Sequence, residues 1–205
     1  VYLKDPREFR LIGRDVPRKD MTAKSAGQAL FTQDVQLPGM LTALVAHPPR
    51  FGAKLAGFNA ARARQIKGVQ AVLAIDDAVA VIANDFWSAK QGRDALQVDW
   101  DESEAFTLSS SEISAQYHDL IEQPGEPAKT EGDAQAALAS AHQVVEASYE
   151  VPFLAHATME PMNCVVQIDE QGARVWNGEQ FQTLDQAAVA EELGLKPQQV
   201  RIDML

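Results

Sequence analysis

Between Val151 and Gln180 the chain concentrates side chains able to do chemistry: His156, Met159, Glu160, Asn163, Cys164, Trp176 and Gln180. His156 and Glu160 stand four residues apart, which on a helix would put a nitrogen and a carboxylate on one face. Pro152 and Pro161 bracket them, however, and each proline pushes the residue before it towards extended backbone. The segment therefore reads as an irregular, positioned loop. A lone His/Glu pair is an incomplete zinc set, so hydrogen bonding inside the loop is the expected use of both side chains. Cys164 reads as a small core residue at the edge of a strand, with no basic neighbour to favour a thiolate. Gln180 follows the turn Gln171-Gly172, a short strand Ala173 to Asn177, and Gly178. It thus sits just past a strand end, where its amide can be aimed into a cleft.

The elements that must carry these residues follow from periodicity and punctuation. Val1 to Asp20 is rich in charge and proline and reads as an extended arm. Ala29 to Val35 is predicted as a strand ended by Leu37-Pro38-Gly39, and Met40 to His47 as another, stopped by Pro48-Pro49. Asn59 to Gln65 is predicted as a helix closed near Gly68. Val69 to Ile75 and Val79 to Ala83 are apolar enough for strands buried on both faces. Phe86 to Leu96 reads as a helix with Trp87, Lys90 or Gly92, and Ala95 on one face, and Gln97 to Trp100 as a strand. The acidic group Asp99, Asp101, Glu102 and Glu104 reads as a solvated surface, too short and irregular for a calcium loop. Ser109 to Gln123 carries a capping pattern and the apolar positions Ile113, Tyr117, Leu120 and Ile121, an amphipathic helix. Ala134 to Ala141 is a shorter helix. Val144 to Val151 and Asn163 to Asp169 are predicted strands. Leu184 to Leu193 is a helix closed by Gly194, with Ala187, Ala188 and Val189 facing inward, and Val200 to Leu205 a last strand. The order is that of an α+β fold.

The 205 residues suffice for one large or two small domains, and a hydrophobic share of 46% beside 23% charged residues is that of a globular protein. A formal net charge of -11 argues against nucleic acid and anionic membrane as partners, because both repel an acidic surface. With a single cysteine the chain can form no internal disulfide and cannot by itself hold an iron–sulfur cluster. The amino-terminal stretch VYLKDPREFRLIGRDVPRKD has no apolar run behind a basic start, so no secretory signal is read there. The last strand stops without a turn or cap, and a piece of a longer polypeptide is expected.

Several blocks in one order carry a family resemblance: RLIGRDVPRKD, AGQALFTQDVQLPGMLTALVAHPPRFGAK, VAVIANDFWSAKQGRDALQVDWDE, YEVPFLAHATMEPMNC and VWNGEQFQ. Over nearly its whole length the chain resembles the large subunit of the molybdenum hydroxylases, the xanthine dehydrogenase and aldehyde oxidase superfamily, and within it the isoquinoline 1-oxidoreductase beta-subunit type. It departs from the common pattern at Ser25-Ala26, where the family has Val-Thr. The resemblance implies an arm or linker over 1–22, an α/β-hammerhead domain over 23–102, a helical connector over 103–142, and over 143–205 the first part of an incomplete α+β molybdopterin-binding domain.

For function, the resemblance implies oxidative hydroxylation of an aldehyde or an electron-poor ring carbon of an N-heteroaromatic compound, with water as the oxygen source. The cofactor implied is molybdopterin, in its cytosine dinucleotide form, with molybdenum. None is expected on this piece alone, because the glycine-rich block and catalytic glutamate of the family are missing from it. Gln180 matches the family glutamine beside the metal and is expected to serve both catalysis and cofactor binding; no side chain here is expected to ligate the metal. The implied partners are the remainder of the polypeptide, a small [2Fe-2S] subunit, an electron acceptor such as a cytochrome c, and a small-molecule substrate. A periplasmic or membrane-associated location is implied by resemblance alone. Two other readings stay open: a non-catalytic module for contact with other subunits, and an acidic binding domain outside the family.

Overall fold

The computed structural model describes residues 3–205; Val1 and Tyr2, the start of the predicted arm, lie outside the described residues. The chain divides into two compact units, one built from residues 1–37 together with 153–205, the other from residues 38–152. Among the described residues no helix is long and apolar enough to cross a membrane.

Residues 3–37 contribute little regular structure. Past a short 3-10 turn at Pro6–Glu8 they form one brief helix, α1 (Met21–Ser25), and a second 3-10 turn at Thr32–Asp34. The strand predicted over Ala29 to Val35 is not formed. Instead the Asp34 carboxylate accepts the Phe31 amide at 3.0 Å, a local side-chain bond that competes with any ladder. The turn is held from within, Thr32 being only 1% exposed and Val35 buried.

The unit 38–152 holds β1 (Thr42–Ala46), β2 (Lys54–Asn59), β3 (Val69–Ile75) and β4 (Ala78–Ala83), then α2 (Phe86–Asp94) and β5 (Gln97–Asp101). β4 lies between β1 and β3, antiparallel to both, and five of its six residues are buried, as its unbroken apolar run requires. β3, at the sheet edge, is mostly exposed beyond Val72, so the two-sided burial predicted for it is not found. β2 and β5 form a separate antiparallel ribbon. Ala60, Ala63, Val72, Val79 and Val81 make the core, with Leu55, Phe58 and Val98 packed against it.

Two sequence expectations are corrected here. The helix predicted from Asn59 is absent: β2 runs to Asn59, whose side-chain oxygen accepts the Ala61 amide at 2.9 Å, and only a 3-10 turn, Ala63–Gln65, follows. On α2 the buried row is Ser88, Ala89 and Gly92, while Trp87 is 61% exposed with the Lys90 ammonium 5.9 Å from its ring centre. The helix lies too near the sheet for a large side chain. A Cβ on Gly92 would stand 2.8 Å from a Val81 methyl and 2.9 Å from one of Val69. Asp85 caps the helix through the Ser88 amide and hydroxyl, both at 2.8 Å, and these bonds hold its carboxyl below the usual range.

Beyond β5 come α3 (Ser110–Ile121), capped by Ser109 and Glu112 as its sequence pattern indicates, and α4 (Ala134–Ser140). Neither buries a residue. The strand predicted over Val144 to Val151 has no ladder among the described residues, and its whole length is exposed. Apolar alternation alone does not make a strand; its amides and carbonyls need a partner edge.

The remaining residues complete the first unit: β6 (Cys164–Asp169), β7 (Gly172–Asn177), α5 (Gln182–Glu192) and β8 (Val200–Met204). β7 is central, antiparallel to β6 and parallel to β8. Asp169 accepts the Gln171 and Gly172 amides at 2.8 and 3.3 Å and closes the hairpin turn. Ala173, Val175, Val200 and Ile202 present one face of the sheet to Val189 and Ala190 of α5 and to Leu193 just past its end. Ala187 and Ala188, predicted inside, are not buried, because the buried stripe is narrower than the apolar run.

Candidate functional site

In a strand pair the register decides which loops become neighbours. Cys164 opens β6 opposite Asn177, the last residue of β7, so the loop ending at Asn163 and the loop Gly178 to Gln180 leave the sheet at one edge. Met204, the last residue of β8, lies beside Asn177 on its other side, and the Leu205 amide donates to the Asn177 carbonyl at 3.1 Å. Three segments thus meet at the carboxyl ends of the parallel pair β7 and β8, where ligands bind in folds with parallel strands.

Gln180 stands in this edge, exposed, two residues before α5. Its amide can donate and accept and carries no charge at any working pH. Next to it, both carboxyl oxygens of Glu179 and the side-chain oxygen of Asn177 are shielded from solvent without a well-formed hydrogen bond among the described residues. Burial pushes the Glu179 carboxyl above its ordinary range, the adjacent Asp185 adds to the rise, and the Asn177 side chain pulls the other way. Composition alone does not mark Glu179; only packing makes it unusual. Phe181 precedes α5 without offering a side-chain cap; its carbonyl accepts the Leu184 and Asp185 amides at 2.9 and 3.1 Å, which leaves the Gln182 and Thr183 amides to solvent or to a ligand.

The loop ahead of β6 is tied down by Glu160. One of its carboxyl oxygens accepts the Gln33 amide at 3.0 Å and the Asn163 side-chain amide at 3.1 Å, and Asn163 also donates to the Pro161 carbonyl at 2.7 Å. His156 and Cys164 are exposed, so the cysteine is not the core residue its neighbours suggest: it is the first residue of β6, at the rim of the sheet. Among the described residues no group of three His, Cys, Asp or Glu side chains has the arrangement of a metal centre. Trp176 is buried under the Arg174 guanidinium, 4.5 Å from its ring centre. A shallow polar cleft runs along α5 and β8, where Gln182 and Gln186 donate to the Ile202 and Val200 carbonyls at 3.0 and 2.8 Å. That cleft is occupied by its own glutamines, and Gln180 does not line it.

Residues 115–204 match the family described as molybdopterin cofactor-binding domain. The chain is 32% identical, over its whole length, to the beta chain of isoquinoline 1-oxidoreductase from Brevundimonas diminuta, of which it spans 27%. Over 92% of its length it is 29% identical to a nicotinate dehydrogenase polypeptide of Pseudomonas putida, spanning 16% of that protein. Among solved structures, quinoline 2-oxidoreductase from Pseudomonas putida 86 superposes with a TM-score of 0.69 at 17% identity, over 94% of this chain and 30% of that one. Aldehyde oxidoreductase from Desulfovibrio gigas superposes with a TM-score of 0.66 at 20% identity, over 98% and 27%. The chain is a relative of the molybdenum hydroxylases, with molybdopterin cofactor-binding domain sequence over residues 115–204. It spans about a quarter of the first curated relative.

The residues present at the edge fit part of such a cofactor's surroundings. A neutral amide at Gln180 and the open Gln182 and Thr183 amides at the start of α5 suit an oxygen-rich, anionic group.

Proposed function

We propose that the chain is part of the molybdopterin-binding catalytic subunit of an enzyme that oxidises aldehydes or N-heteroaromatic compounds with water as the oxygen source. The observation that carries this is Gln180 at the carboxyl end of β7, flanked by the loop ending at Asn163 and the end of β8. The cofactor, which we take in its cytosine dinucleotide form, supplies the redox chemistry when bound. Gln180 supplies a preorganised N–H donor that stabilises negative charge without giving up a proton. The Gln182 and Thr183 amides at the start of α5 would hold an anionic part of the same group. On this reading residues 23–102 are the hammerhead domain, 103–142 the connector and 143–205 the opening of the cofactor domain. The piece is inactive by itself, a small [2Fe-2S] subunit and an acceptor such as a cytochrome c take the electrons, and the assembled protein is periplasmic or membrane-associated.

The test is to produce the full-length polypeptide with its small subunit, measure molybdenum and the nucleotide released from the cofactor, and follow dye reduction with aldehydes and N-heterocycles. Gln180→Ala is expected to lower kcat by about 10²-fold with the fold and the molybdenum content unchanged. Wild-type turnover in that variant removes Gln180 from the mechanism, and a full-length protein free of molybdenum removes the reading as a whole.

A further inference from the structure

We propose that Glu160 is a positioning residue of this edge: its carboxylate staples the loop ahead of β6, which carries Met159 and Met162 and reaches the sheet at the edge that Gly178 to Gln180 leave, to the 3-10 turn Thr32–Asp34. The inference rests on the functional reading above for its catalytic consequence, and on geometry for the staple itself. The Gln33 amide comes from a segment 127 residues earlier, whereas the Asn163 amide belongs to the loop's own end, and both converge on one oxygen of Glu160.

The two sides of the staple differ in rigidity. On one side the turn is anchored by buried Thr32 and Val35 and lies against β6. On the other, residues 155–163 have no regular structure, and within them Thr158 donates to the Glu160 carbonyl at 2.9 Å and Asn163 to the Pro161 carbonyl. The loop also holds Ala157 at φ +47°, a left-handed conformation that a residue with a Cβ keeps only where its surroundings enforce it. Three residues on, Glu160 ties this part of the loop to the Gln33 amide. Met159 and Met162, on either side of it, are 99% and 98% exposed. Such soft, unbranched side chains adapt to apolar ring surfaces, and the loop that carries them meets Gly178 to Gln180 across the Cys164 and Asn177 pair.

Glu160→Gln keeps an oxygen able to accept both N–H groups, whereas Glu160→Ala keeps none. Amide hydrogen exchange at Gln33 is expected to stay slow in the wild type and in Glu160→Gln, and to quicken at least about 10-fold in Glu160→Ala. In the full-length protein with its small subunit, Glu160→Ala is expected to raise KM for an aromatic substrate by about 10-fold at unchanged molybdenum content, with Glu160→Gln close to wild type. Equal Gln33 exchange in all three proteins overturns the staple. Fast exchange in Glu160→Ala with unaltered kinetics overturns the positioning role. The exchange comparison needs no cofactor, and the molybdenum content of the wild type judges the functional reading separately.

Discussion

Arg174 on β7 donates its Nε to an oxygen of Asp203 on β8 at 2.5 Å, while the other oxygen of Asp203 accepts from Arg201 at 2.8 Å. One carboxylate thus bridges two guanidiniums across a parallel strand pair, on the sheet face opposite the one that packs against α5. Arg174 in turn lies over the buried Trp176 indole, 4.5 Å from its ring centre.

The Arg201 and Arg174 guanidiniums, in that order, hold the Asp203 carboxyl below its usual range. Because the folded state then binds the proton more weakly than the unfolded chain, the contribution is present above the unfolded value of about 3.9 and is lost as pH falls through the folded one. Asp203→Asn is expected to lower stability at pH 7 by about 1 kcal/mol or less, since both arginines are partly exposed. Urea melts of the two proteins at pH 7 and near pH 3 check this: a gap that persists undiminished at the acid end contradicts the assignment.

Glu179 has the opposite sign. Burial raises its pKa, so the folded state binds the proton more tightly than the unfolded chain, and the favourable contribution is complete below the unfolded value of about 4.3 and is lost as pH rises through the folded value. Glu179→Gln replaces the shielded carboxylate with a neutral isostere. Its thermal midpoint is expected to exceed that of the wild type at pH 8, with the advantage shrinking as pH approaches 4. A midpoint below the wild type at pH 8 would mean that the charged form has donors.

Gly172 occupies φ +148°, and a Cβ there would stand 2.0 Å from the backbone oxygen of Gln199. Neither atom can move without breaking the approach of β7 to the residue that leads into β8. Gly172→Ala is expected to cost about 2 kcal/mol or more. A denaturant midpoint within error of the wild type would show that this approach is dispensable.

Much of the fold is legible in the residue order, for specific physical reasons. β4 is an unbroken apolar run between turn residues, so strand and central position follow together. The capping pattern of Ser109 and Glu112 encodes the start of α3 within four residues, and Gly194, at φ +64°, marks the end of α5. Gln180 stands out because its neighbours form a family block, and its place past a strand end is readable from Gly178. The misses are of another kind. Ala29 to Val35 and Asn59 to Gln65 lose their predicted forms to single side chains, Asp34 and Asn59, that bond to nearby amides. Val144 to Val151 has the alternation of a strand but no edge to pair with among the described residues.

By itself, then, the order of residues determined the elements whose signals are local: apolar runs, caps, turn glycines, and the loop framed by Pro152 and Pro161. Only the tertiary structure decided that Gln33 meets Glu160, that Glu179 is shielded from water while Gln180 is not, and that the small face of α2 rather than Trp87 turns inward. Contacts between residues far apart in the chain, and the dielectric around a carboxyl, depend on what packs alongside. No window of neighbouring residues contains that information.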